Sequence, residues 1–325
     1  MEGTRILDND SWCVVFSFLD VDDLFTLPMV HSMFRKLTHN RDAEIYQQAY
    51  KKALLGININ VDDFKYPENV QNYKNQLLNR VKPLLMQKKM ILKNISSSTY
   101  FDSEEVEQEF LNAVEKSMHL TIAFKKGSNK SFSRYCTRTF DVPKGVELSN
   151  IVCQLKMSLF KHTYCSHLYN LPTEGVLYYM THSPNGSYCF EPSLYYHSTG
   201  PLESVEVKEQ SLYIHHQDYI GGVEEVLDIP HPFDIPNLPL SLQDENNYIL
   251  KKMMFFKREI ISQKKYCGLQ MFGSPYFLQS EQTFPGQKLL FQHYASHGDS
   301  LSFVLINKEN LLNRDYSSLN FHFDC

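Results

Sequence analysis

The chain has 325 residues, of which 42% are hydrophobic and 21% charged, and its formal net charge is −5 at pH 7. That length supplies ample core for one large or two modest domains, and the composition is ordinary for a folded globular chain. The negative balance, with no Lys/Arg block interleaved with aromatics, argues against nucleic acid or an acidic membrane surface as a partner. Seven Cys, at positions 13, 136, 153, 165, 189, 267 and 325, are odd in number and lack a framework spacing, which predicts reduced thiols. No basic stretch followed by an apolar run opens the chain, and no run of about eighteen apolar residues occurs. A soluble, cytoplasmic chain with no membrane span is the expectation.

The first informative stretch runs from Leu7 to Leu37. Trp12, Val15, Phe16 and Leu19 fall at i, i+3, i+4 and i+7, one face of a helix. Asp20-Val21-Asp22-Asp23 then interrupts the pattern with residue types that cap helices, so a second helix can start there. Leu24, Leu27 and Val30 carry its stripe, and Phe34 and Leu37 a third. So short a helical trio has more apolar surface than it can bury within itself, which predicts a partner, either a neighbouring domain or another protein.

The order of these elements resembles an F-box. The matching residues are Leu7, Val15-Phe16-Ser17-Phe18-Leu19, Asp23-Leu24, Leu27, Val30, Phe34-Arg35 and Leu37. Where the family carries Pro after its first Leu, this chain has Asp8, which suits a helix cap. The resemblance implies docking on the Skp-type adaptor of a cullin-based (SCF-type) ubiquitin ligase. Leu7, Trp12, Val15, Phe16, Leu19, Leu24, Leu27, Val30, Phe34 and Leu37 would make the contact, with Trp12, Phe16 and Leu19 as main anchors. Each buried anchor would contribute on the order of 1.5–3 kcal/mol. An ordinary N-terminal helical hairpin packed on its own chain would show the same stripes.

A helical bridge follows. Ala43 to Leu55 reads as a helix closing on Gly56, and 58–68 as a polar connector. A longer helical pattern spans 69–94, with Leu77, Val81, Leu84 and Leu85 on one side and Pro83 as a kink. Its Lys88-Lys89 pair reads as a solvated face. Ser103-Glu104-Glu105 opens another helix, acidic in its first turn, with Phe110, Leu111, Val114 and Met118 as core candidates.

From about Leu120 the texture changes to short β-type runs separated by Gly, Pro, Asn and Ser turns. Leu120–Phe124, Gly175–Met180, Leu212–Ile214, Gln287–Phe291 and Leu301–Ile306 are examples, and Gly221-Gly222 reads as a plain turn. The last sixty or so residues resemble the C-terminal part of the YwqG-like family. Gly273, Pro275 and Gln279, Leu289-Leu290-Phe291-Gln292, Gly298-Asp299, Phe303 to Ile306, Asn310-Leu311, Asp315-Tyr316-Ser317 and Cys325 carry that resemblance. Asn310 stands where the family has an acid, and His297 where it often has Trp. Gln154-Leu155 and Leu171-Pro172 through Met180 echo the family's other half, which suggests an internal duplication. Gly175 and Gly273 are the positions where positive φ or a close backbone approach is expected. The resemblance implies a peptide- or protein-binding cleft, with Gln154, Gln279, Gln292 and Asp299 as candidate polar groups; capping of strand ends is the plainer role for the Gln side chains.

Ligand-type residues elsewhere lack a complete frame. His162, Cys165 and His167 have no evident fourth partner for zinc, His293 and His297 lack an intervening Glu, and the adjacent His215-His216 would point to opposite strand faces. No nucleophile elbow or phosphate-binding Gly loop is present, so no catalytic role, metal or cofactor is expected. The overall expectation is an α+β chain in three parts: an F-box-like helical domain (1–50), a helical linker (51–118) and a YwqG-like antiparallel β-rich domain (119–325). It would serve as a ligase adaptor for an unknown protein target, or alternatively as a chaperone-like binding module on which the N-terminal helices merely pack. A bacterial effector acting in host cytosol is compatible with the Asn/Lys/Tyr-rich texture.

Overall fold

The structure is a computed structural model that describes residues 19, 21–23, 42–59, 73–98, 101, 103–135, 137, 139–148, 150–182, 191–206, 218–230, 235, 253, 265–275, 286–294 and 301–324. Two compact units divide the chain, Met1–Asn94 and Ile95–Cys325.

In the first unit, helix α1 (Asp42–Leu55) buries Ile45, Tyr46, Tyr50, Ala53 and Leu54. Those positions recur at helical spacing and form one stripe. The Gly56 N–H still bonds the Lys52 carbonyl at 3.0 Å, and the chain then turns through Asn58 at φ 60°. Asn tolerates that left-handed conformation better than most residues.

The next helix is continuous in hand but not in pitch. Tyr73–Gln76 (α2) is α-helical, Leu77–Val81 is a π-turn, and Lys82–Ser98 (α3) is α-helical again. Pro83, expected as a kink, sits just inside the start of α3, directly after the π-turn. Proline cannot donate to a carbonyl four residues back and its ring crowds that carbonyl. The wider turn before it, in which the Lys82 N–H bonds the Leu77 carbonyl, absorbs the mismatch. Leu77, Val81, Leu84, Ile91 and Ile95 are buried, and Leu85 is half-buried. Lys88, expected on a solvated face, is buried, and its ammonium donates to the Gly56 carbonyl. It thereby caps the negative end of α1, which neither its own helix nor its sequence neighbours reveal.

In the second unit, α4 (Glu104–Ser117) begins where the sequence signals it. Ser103 is the N-cap, its side chain accepting from Val106 N at 3.2 Å, and Glu104, Glu105 and Glu107 fill the first turn. Phe110, Val114 and Met118 are buried.

Strands begin at His119: β1 (His119–Lys126), β2 (Ser133–Tyr135), β3 (Thr139–Pro143), β4 (Ile151–Lys156), β5 (Val176–His182), β6 (Glu191–His197), β7 (Leu202–Glu206), β8 (Asp218–Asp228), β9 (Tyr266–Phe272), β10 (Gln287–Tyr294), β11 (Leu301–Asn307) and β12 (Leu319–Asp324). Ten form one sheet in the order β12-β11-β10-β9-β1-β8-β2-β4-β5-β6, every pairing antiparallel, and β3 pairs with β7 separately. Helices with a large antiparallel sheet make the chain α+β. Leu212–Ile214, read as a strand, lies outside the described residues.

The sheet curls into a nearly closed barrel, with Cα atoms of edge strands β6 and β12 coming within 8 Å of one another. Tyr179 of β5 and Phe291 of β10, far apart in the sheet order, stack with ring centroids 5.4 Å apart. Both are fully buried, so this is the concave side. The β4–β5 connection, a 3₁₀ turn (Met157–Phe160) and the short helix α5 (Tyr164–Leu168), packs on the same face as Ile122 and Phe124. Phe160 meets Phe124 edge-on at 6.0 Å, and Cys165 N–H donates to Glu225 Oε1 at 2.9 Å. On the other face, β3–β7 covers β4 and β5 through Phe140, Val142, Ile151, Val176 and Tyr178. β1 is buried continuously from Leu120 to Phe124, with Ala123 clustering with Val226 and Tyr266 on the face opposite Phe124.

Gly221-Gly222 is not a turn. Both lie inside β8, at a register break where Lys125 faces Gly222 but Lys126 faces Ile220. A Cβ on Gly221 would lie 2.8 Å from the Gly127 Cα, so the pair marks a bulge with backbones in contact.

Candidate functional site

The most constrained site is the turn leaving β9. Phe272 has φ 63° and Gly273 φ 87°. For a bulky residue the left-handed region costs about 1–2 kcal/mol, so neighbouring contacts must hold Phe272 there. They are present. The Tyr169 ring stacks on Phe272 with centroids 4.3 Å apart. Thr121, opposite Phe272 in the β1–β9 register, places its hydroxyl 2.9 Å from the Met271 carbonyl and 3.1 Å from that of Phe272. Gln270 Nε2 donates to Thr121 Oγ1 at 2.7 Å and to the Phe272 carbonyl at 3.3 Å. Asp228 Oδ2 accepts from the Ser274 N–H at 2.7 Å.

Gly273 is both left-handed and crowded, since a Cβ there would lie 2.5 Å from Asp228 Oδ2 and 2.8 Å from Gln270 Nε2. The expectation of positive φ or close approach holds at this residue and at Gly175, where φ is 86° and a Cβ would meet the His197 carbonyl at 2.5 Å. Thr121, Asp228 and Gln270 are all buried. His119 completes the group: its Nδ1 lies 3.1 Å from the Ser117 carbonyl and its Nε2 3.5 Å from Asp228 Oδ2. The second distance is an electrostatic contact longer than a good hydrogen bond, and Nε2 has no hydrogen-bond partner among the described residues. Gln270 Oε1 is likewise buried without one among the described residues. Hydroxyl, amide and carboxylate thus hold the backbone of the turn.

Of the cleft candidates, Gln154 and Gln292 are fully buried, and Gln279 and Asp299 lie outside the described residues. Gln154 is in β4 between β2 and β5, whereas Gln292 is in β10 between β9 and β11, so the sheet does not bring them together. Both ends of the Gln154 amide are engaged. Its Oε1 accepts from Asp141 N at 2.8 Å and its Nε2 donates to the Phe132 carbonyl at 3.1 Å. Around it, Arg134 donates to Asp141 Oδ2 at 2.8 Å and the Tyr178 hydroxyl to the Asp141 carbonyl at 2.6 Å. These bonds tie β3 to β2, β4 and β5. Gln292 faces Gln270 across β9 and β10, which places it beside the strained turn.

Of the docking residues, only Leu19 is described, and it is half-buried. Leu7, Trp12, Val15, Phe16, Leu24, Leu27, Val30, Phe34 and Leu37 lie outside the described residues. Residues 21–23 form a helical turn, and Lys82 Nζ pairs with Asp22 Oδ1 at 2.7 Å, which holds the Asp22 carboxyl below its ordinary value.

Glu224 is paired with Lys125 and Lys265. Burial pushes the Glu224 carboxyl up, but the Tyr266 hydroxyl, Lys125 and Lys265 outweigh it and the net shift is downward. Cys153, Cys165 and Cys267 are buried thiols outside any disulfide, and burial with Asp218 nearby pushes the Cys267 thiol up to about 12. His162 is exposed and Cys165 buried, and His293 lies in a strand, not a helix. Among the described residues, no group of three or more His, Cys, Asp or Glu could hold a metal ion. No described helix is long and apolar enough to cross a membrane.

No protein-family model matches the chain, and no curated protein does. Sequence reasoning singled out Gly273 at the turn but missed Thr121, Asp228, Gln270 and Phe272. The nearest signal was Gln270 two residues before a Phe-Gly pair, and its partners lie roughly 150 residues away in sequence.

Proposed function

We propose that this chain is a substrate-recruiting adaptor of an SCF-type ubiquitin ligase. The stretch Leu7–Leu37 docks on the Skp-type adaptor, and the β-rich unit, a YwqG-like domain built by internal duplication, binds a protein target. The chain performs no chemistry of its own in this reading and acts in the cytosol, that of a host if it is a bacterial effector. The observation that carries the reading is the order of apolar, acidic and Phe-Arg elements between Leu7 and Leu37. Support comes from that stretch falling in a different compact unit from the sheet.

One observation favours a second reading, a chaperone-like peptide- or protein-binding module whose N-terminal helices only pack on it. Asp22, inside the docking stretch, is ion-paired with Lys82 of α3. Co-expression of the full chain with a Skp-type adaptor separates the two. Retention of the wild type and its loss on combining Phe16→Ala with Leu19→Ala supports the ligase reading. Failure of the wild type to retain the adaptor, or equal retention of the variant, leaves the second reading.

A further inference from the structure

We infer that the solvent-facing side of α3 is a docking surface for an acidic amphipathic helix of a partner protein. Leu55, Met86 and Met90 are the large hydrophobic side chains standing most exposed among the described residues, at 58%, 58% and 54%. Two are on one helix at i and i+4, and exposed Pro83 and Lys93 extend the same stripe to i, i+3, i+7 and i+10. Leu55 ends α1, which abuts the other side of α3: Lys88, buried there, holds the adjacent Gly56 carbonyl. Unbranched Met side chains adapt to a partner's surface, which suits an exposed contact better than a rigid core.

Charge selects the occupant. Residues 69–98 carry Lys74, Arg80, Lys82, Lys88, Lys89 and Lys93 and no acidic residue, in a chain whose net charge is −5. Lys88 is turned inward, but Lys89 and Lys93 are exposed beside the Met pair. Among the described residues, Asp22 approaches this stretch, ion-paired with Lys82 and near Lys89. An apolar stripe rimmed by ammonium groups fits a helix with Leu-type residues on one side and carboxylates flanking them. The inference does not rest on the ligase reading, because these residues lie outside Leu7–Leu37.

The test uses the full chain and a labelled peptide of about 20 residues, with Leu at helical spacing and Glu elsewhere, read by fluorescence anisotropy. Expected is saturable binding that weakens about tenfold or more in either of two variants, Met86→Ser with Met90→Ser or Lys89→Glu with Lys93→Glu. A Gln-for-Glu peptide should also bind about tenfold more weakly, and raising salt from about 0.05 to about 0.3 M should erode the difference. These side chains are exposed, so unchanged circular dichroism and melting should accompany the loss. Absence of saturable binding, or binding indifferent to both variants, overturns the proposal. So does self-association of the chain lost in the same variants, or binding only to phosphatidylserine vesicles, since the surface then serves a second copy or a membrane.

Discussion

At the scale of single residues, backbone conformation and buried polar partners decide what is tolerated. Gly273 combines φ 87° with a Cβ position overlapping Asp228 Oδ2 and Gln270 Nε2. Gly273→Ala should therefore cost about 2–4 kcal/mol, read as a lower urea midpoint with unchanged slope. His322 gives a pH prediction. Burial holds its imidazole below the ordinary value, and its ring stacks on Phe303 with centroids 5.5 Å apart. The unfolded chain then binds this proton more readily than the folded one. Its contribution to stability is whole above about pH 6.5 and is lost as pH falls through the folded value. His322→Phe keeps a ring against Phe303 and removes the proton. Its melting temperature should fall less than the wild type's between neutral and mildly acidic pH.

At the scale of elements, local signals were readable where one segment settles its own structure. Ser103 with three acids after it started a helix, and the stripe ending at Leu54 stopped one near Gly56. Segments whose meaning depends on a distant neighbour were not readable. Gly221-Gly222 has turn composition, yet the strand runs through because Gly127 presses against it. Lys88 sits in a basic run, yet it is buried because the carbonyl end of another helix faces it. Lys88→Met keeps the apolar stem and deletes the cap, so a loss of about 1–2 kcal/mol is expected in chemical denaturation. Lys89→Met, on the exposed side, should leave stability within about 0.5 kcal/mol of the wild type.

At the scale of the molecule, the sheet's curvature makes one concave core from strands remote in sequence. Tyr179 and Phe291 meet there, and the β4–β5 connection lies on the same side. Phe291→Ala removes a fully buried ring at this contact. A loss of about 3–5 kcal/mol should follow, with the stacked Tyr179 losing near-ultraviolet dichroism. The same long-range closure separates the candidate polar groups: Gln154 braces β3 on one side of the barrel, whereas Gln292 stands beside the strained turn on another.

Periodicity and capping chemistry by themselves determined that helices precede strands, where several of them begin, and that Gly175 and Gly273 need special backbone geometry. These are consequences of residues within a turn or two of one another. Tertiary structure alone decided that Thr121, Asp228 and Gln270 converge on Phe272, that Gly221 is a bulge, and that Lys88 is a cap. Each depends on which strand or helix lies opposite, and hydrogen-bond register across a curled sheet brings together residues that no local pattern relates.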